Sequence, residues 1–164
     1  MLELFNNIDE ANKIKILQTL EATTLFYKKN EIILSSIKND NIICIVLSGH
    51  IQIIKNDFNG NQIIIENLYE NDIFGSISAN ISDNEYEIIT KEDSKITIIE
   101  YNNIINYREN LSLYNEFIIN LLKVFYEKIV KFNNRIEILT NKTIRDKLLA
   151  YFKITANKGN NTRV

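Results

Sequence analysis

Proline and tryptophan are absent from this chain of 164 residues, and glycine, cysteine and histidine number only four, one and one. The lack of proline accompanies a crowd of asparagine, isoleucine and lysine, which reads as codon bias from an AT-rich genome and carries no functional meaning. One cysteine, Cys44, excludes a disulfide framework within the chain and any four-cysteine zinc or iron–sulfur site. It stands inside the apolar run NIICIVL, the setting of a buried small hydrophobe rather than a reactive thiol. One histidine, His50, excludes the two or three histidines that a metal-dependent cupin-type enzyme places on facing strands. It follows Gly49 at the head of a strand, where a solvent-facing or capping role fits better than haem ligation. The sequence has no Walker loop and no serine–histidine–carboxylate set beyond chance. The expectation is therefore a protein that is not an enzyme and holds no metal or cofactor.

Long apolar runs are missing too. The N-terminus MLELFNNIDEANKIK carries acids early and is no signal peptide, and nothing approaches membrane-spanning length. A cytoplasmic location without a membrane partner is expected. Nineteen basic residues against twenty-one acidic give a net charge of −2. That balance offers no basic face with which to displace counterions from nucleic acid.

What is present is a chain of one ordinary core, or a core plus an appendage, at 45% hydrophobic and 24% charged residues. Asp9 is a good N-cap, and Ile14, Ile16, Leu17 and Leu20 follow at helical spacing, so a short helix ends near Glu21. From Thr23 to Tyr101 come short β-rich runs: TLFYKK, EIILSS, NIICIVLSG, HIQIIKND, NQIIIENLY, YEIITKE and SKITIIEY. Their spacing predicts an antiparallel sandwich, roll or barrel. Asn59-Gly60 marks a hairpin turn and Gly49 a second sharp one.

After Tyr101 the period switches. Leu111 to Leu139 holds neither glycine nor proline and reads as one long helix. Ile118, Leu122, Phe125, Ile129, Phe132, Ile136 and Leu139 alternate four and three apart, which is a coiled-coil seam for a homodimer. Tyr114, Phe117, Leu121 and Val124 form a second stripe, suited to packing on the β-body. A further helix is expected from Lys142 to Asn157, capped by Thr140 or Asn141, before a structureless polar tail KGNNTRV.

The ordered stretches EIILSSIKNDNIICIVLSGHIQIIKNDFNGNQIIIENLYENDIFGS, TKEDSKITIIE and NNRIEILTNKTIRDKLLAYF resemble the Crp/Fnr-type bacterial transcription regulators. The resemblance covers nearly the whole chain, and no single motif decides it. It implies a mainly β fold with flanking helices: an antiparallel β-roll, jelly-roll-like (a double-stranded β-helix), followed by a long dimerisation helix. By the family layout, residues 1–110 form a cyclic-nucleotide-binding-like roll, 111–140 the dimer helix, and 141–164 the start of a truncated winged helix-turn-helix. DNA would then be met only through a C-terminal domain absent from this chain. A standalone dimeric binding protein without DNA activity is the alternative, and the discriminator is whether the gene continues past Val164.

The stretch NDIFGSISANISDNEYEIIT carries a turn glycine, Gly75, which the resemblance makes the start of a very short helix and an anion cradle. Relatives that bind cyclic AMP follow that glycine with a ribose-binding glutamate and, about ten residues on, a phosphate-binding arginine. Ser76 stands at the first position, Asn84 or Glu85 at the second, and no arginine precedes Arg108. A phosphodiester there would forfeit a charge-assisted bond of about 1.5–3 kcal/mol. The layout implies a pocket walled by Ile73, Phe74, Gly75, Ser76, Ile77, Ser78, Asn84 and Tyr86 and closed by Lys128 and Ile129. Its expected occupant is an unidentified small-molecule effector other than cyclic AMP, or none, since Ile77, Ile88 and Ile89 are suited to filling the interior.

Overall fold

The computed structural model describes residues 3–33, 41–57, 59–75, 86–107 and 111–160. They fall into two compact units, Met1–Asn120 and Leu121–Val164. The first is mainly β with flanking helices, the expected class. A 3-10 turn at Glu3–Phe5 precedes α1 (Glu10–Thr19), whose N-cap Asp9 accepts the Asn12 backbone N–H at 2.8 Å. Seven strands follow: β1 (Thr23–Tyr27), β2 (Ile42–Ser48), β3 (Ile51–Asn56), β4 (Gln62–Leu68), β5 (Ile73–Gly75), β6 (Tyr86–Thr90) and β7 (Ser94–Glu100). They make two antiparallel sheets, ordered β1-β7-β2-β5 and β4-β3-β6.

Alternation explains the core. Ile42, Cys44 and Val46 of β2, Ile51 and Ile53 of β3, Leu68, Phe74, Ile88 and Ile96 join one buried cluster drawn from both sheets. The intervening Ile43 and Ile45 of β2 are buried as well, so that strand is covered on both faces. Helix α2 (Tyr101–Ile105) leads to α3 (Leu111–Thr140). Phe117 of α3 lies 5.9 Å from the Phe5 ring, and the Asn120 amide donates to the Asn6 carbonyl at 2.7 Å. The start of the long helix is thereby fastened to the N-terminal segment. The second unit holds the rest of α3 and α4 (Ile144–Asn160).

Several expectations are corrected. Strand β5, three residues long, falls outside the predicted runs, and the five-residue helix α2 begins at Tyr101, the last residue of the predicted run SKITIIEY. Within EIILSS, Ile32 makes only an isolated bridge to Ile89, and 34–36 lie outside the described residues. Helix α4 is capped by Thr143, later than Thr140 or Asn141: its hydroxyl accepts the Asp146 N–H at 3.1 Å and donates to the Asp146 carboxylate at 2.7 Å. Thr140 and Asn141 instead close α3, both donating to the Glu137 carbonyl. Helix α4 continues through Gly159 to Asn160, into the stretch expected to be a tail, and 161–164 lie outside the described residues.

The turn glycines at 49 and 60 adopt φ of 101° and 80°, as their turns require. Beside Gly60, the Asp57 carboxylate accepts from the Asn61 side chain at 2.9 Å and from the Asn61 and Asn59 backbone at 2.7 and 2.8 Å. These bonds, the Asn61 side chain first, hold its carboxyl below the usual range.

Burial pushes the Cys44 thiol up to about 12, so almost no thiolate exists in the native state. The native chain should therefore resist Ellman's reagent at mildly alkaline pH and release one thiol on denaturation. Rapid labelling of the folded chain would show that β2 opens readily.

Candidate functional site

Strand β5 pairs with β2 in the register Ile45↔Ile73, Cys44↔Phe74 and Ile43↔Gly75. Phe74 thus faces the shared core, while Ile73 is buried on the opposite side of the sheet. Gly75 is the last described residue before the stretch in which the turn was expected. It ends the strand, outside the positive-φ region that Gly49 and Gly60 occupy. Space is what demands a glycine there, because a Cβ would stand 2.6 Å from the Ile42 carbonyl oxygen. The next expected wall residues, Ser76, Ile77, Ser78 and Asn84, and with them the expected short helix, lie outside the described residues.

Tyr86 opens β6, and its register places a residue that the sequence reading missed. Strands β3 and β6 pair as Ile51↔Thr90, Ile53↔Ile88 and Lys55↔Tyr86 on one face. The first two pairs are buried: Ile51, Ile53 and Ile88 belong to the core cluster, and the fourth member, Thr90, is fully enclosed. The third pair is half-buried, with the Lys55 ammonium 5.3 Å from the Tyr86 ring centroid. A lysine thus occupies the core-side position where the apolar floor ends. The signal was present in HIQIIKND as Ile51, Ile53, Lys55 at period two, but the doublet Ile53-Ile54 hid its phase. Glu87 points the other way by alternation and accepts from the Asn56 amide at 2.9 Å.

His50 is half-buried and stacked on Tyr69 at 4.6 Å. Its Nε2 lies 3.0 Å from the Asn67 Oδ1, which accepts from Gln52.

Of the residues expected to close the pocket, Lys128 and Ile129 belong to the second unit. The Lys128 ammonium lies 5.8 Å from the Phe132 ring centroid, and Ile129 is 57% exposed. The two stripes of α3 differ sharply. Phe117 and Leu121 are 0% and 7% exposed, whereas Leu122, Ile136 and Leu139 are 62%, 58% and 56%. Phe125 and Phe132 are also exposed, while Ile118 is half-buried.

The family described as the cyclic nucleotide-binding domain matches residues 24–110. Comparison with curated proteins finds no match. The chain is similar in fold to the catabolite activator protein of Thermus thermophilus, with 13% identity and a TM-score of 0.61 over 84% of this chain and 63% of that one. It therefore spans less than two thirds of that protein's length. A CooA variant of Carboxydothermus hydrogenoformans shares 19% identity at a TM-score of 0.64 over 91% and 93% of the two chains. A cyclic nucleotide-binding domain from Methylobacillus flagellatus shares 16% identity at a TM-score of 0.63 over 87% and 84%.

Gly75→Ala should destabilise the chain by about 1–3 kcal/mol, since the new methyl group must displace either β5 or the Ile42 carbonyl. Urea denaturation measures it, and an unchanged midpoint would show that the two strands separate at no cost.

Proposed function

This chain belongs to the cyclic nucleotide-binding domain family, and on that premise we propose that it is the sensor and dimerisation part of a Crp/Fnr-type transcription regulator. It works in the bacterial cytoplasm as a homodimer, catalyses no reaction, and responds to an effector other than cyclic AMP or to none. DNA is met through a helix-turn-helix domain of the same regulator.

The observation that carries this reading is the exposed stripe of α3. Leu122, Phe125, Ile129, Phe132, Ile136 and Leu139 recur four and three residues apart and stand open to water in the single chain. An apolar row of that length is rarely left to solvent, and its period is that of a helix whose partner is another helix. The other stripe is spent within the chain at Phe117, against Phe5. A second copy supplies the matching row by symmetry.

The effector reading rests on chemistry at the positions after Gly75. Ser76 can hydrogen-bond a hydroxyl, but neither it nor Asn84 brings the positive charge that a cyclic phosphate needs. Helices of the described residues are too short or too polar to cross a membrane, in keeping with a soluble sensor.

Sedimentation equilibrium at tens of micromolar should give the mass of two chains. Phe125→Ala and Phe132→Ala should each weaken association, by on the order of 3 kcal/mol for a fully buried ring. A wild-type monomer would sink the dimer. Calorimetric titration with cyclic AMP and cyclic GMP should show no micromolar binding, and tight binding of either would overturn the effector reading.

A further inference from the structure

We propose that Asn59 is a site of covalent self-modification, at which the Gly60 backbone nitrogen displaces the side-chain amide as ammonia, and that Asp57 restrains the reaction. The reaction is independent of the reading of the chain as a sensor.

Asparagine is abundant in this chain, but Asn59 alone is followed by glycine. That neighbour governs the chemistry, because the nitrogen of residue 60 must close on the Asn59 side-chain carbonyl carbon. In any other residue a Cβ crowds this approach, and glycine has none. The space around Gly60 is also open, since even an added Cβ would meet nothing within 4 Å. Asn59 to Gln62 are exposed at the tip between β3 and β4, so water and hydroxide reach them.

The step balances with water as its only co-reactant. Hydroxide takes the Gly60 N–H proton, the nitrogen bonds to the Asn59 carbonyl carbon, and the C–N bond of the side-chain amide breaks. The leaving nitrogen takes up a proton and departs as ammonia. Water then opens the cyclic imide at either carbonyl. One route leaves aspartate, the other isoaspartate, in which the backbone runs through the former side chain. Each product adds a negative charge beside the Asp57 carboxylate. Isoaspartate also lengthens the backbone inside the turn, next to the register pair Asn56↔Gln62.

The turn opposes the attack. The Gly60 N–H donates to the Asp57 carbonyl at 3.0 Å, and the Asn59 and Asn61 N–H groups donate to the Asp57 carboxylate at 2.8 and 2.7 Å. While these bonds stand, the Gly60 nitrogen is engaged and the backbone around Asn59 is fixed. Attack requires the turn to open, and opening loses the bonds that Asp57 makes. The restraint is partial, because at an exposed tip water competes for every one of these groups. Asp57 is thus a positioning residue, and it sets the rate at which its neighbour is consumed.

The whole chain is incubated at mildly alkaline pH, sampled over days, and digested for chromatography and mass spectrometry of its peptides. Asn59 should convert ahead of every other asparagine, giving both acid isomers. Asp57→Ala should speed conversion by about tenfold, the extra opening that follows loss of one charge-assisted bond. Asp57→Asn keeps an acceptor oxygen and should recover most of the restraint. Thermal melting checks that the variants fold. Should Asp57→Ala not fold, the wild type in guanidinium takes its place and should convert faster than the native chain by at least the same factor. Conversion led by another asparagine, or none at Asn59, would overturn the site. A folded Asp57→Ala no faster than wild type, an Asp57→Asn as fast as Asp57→Ala, or a rate unmoved by denaturation would overturn the restraint.

Discussion

Five consecutive buried residues, Ile42 to Val46, hold the first unit together. A strand buried on both faces cannot slip in register without exposing isoleucines on one side or the other. Both neighbours of β2 are set against this fixed ladder. Strand β7 pairs with it from Ile42↔Glu100 onward, and β5 adds only three residues on its other edge. So short a strand contributes little pairing energy of its own and is placed by the fit of Phe74 into the core and of Gly75 against the Ile42 carbonyl. The position at which the chain leaves β5 is therefore decided by packing on β2, upstream of any ligand chemistry.

The sequence made most of the fold legible because its signals were long. Six runs with β-pattern became β1, β2, β3, β4, β6 and β7, and the unbroken apolar period from Leu111 became a helix of 30 residues. The elements missed were those whose causes are not periodic. Strand β5 is too short to show a period, and its glycine answers to a carbonyl on another strand, which no local pattern reveals. At α4 the cap moved to Thr143 because the hydroxyl and the Asp146 carboxylate close a reciprocal pair, while Thr140 and Asn141 were claimed by the end of α3. Of the wall that the family layout implied, Ile73, Phe74 and Gly75 lie together on β5 and Tyr86 opens β6, while Ser76, Ile77, Ser78 and Asn84 lie outside the described residues. That Lys55 is the register partner of Tyr86 follows from the pairing of β3 with β6 and from no local pattern.

Helix α3 changes character along its length. Its first third is held by the N-terminal segment, through Phe5 against Phe117 and through the Asn120 amide on the Asn6 carbonyl. Asn120 is almost fully enclosed, and its other amide atom, Oδ1, has no partner among the described residues. An enclosed acceptor without a donor costs free energy, of the order of 1–3 kcal/mol. The helix tolerates it where the first unit ends, and beyond that residue the apolar positions of the heptad stripe turn outward into water.

The exposed row of α3 is the departure from ordinary packing that the chain does not resolve by itself. Leu122, Ile136 and Leu139 are more than half exposed, so apolar side chains lie where polar ones belong, whereas Phe117 on the same helix is fully enclosed. The difference is one of partners: Phe117 has the Phe5 ring against it, and its burial is already complete in the single chain. The later positions gain nothing until a matching apolar surface covers them and excludes water, and no charged or polar partner can supply that gain.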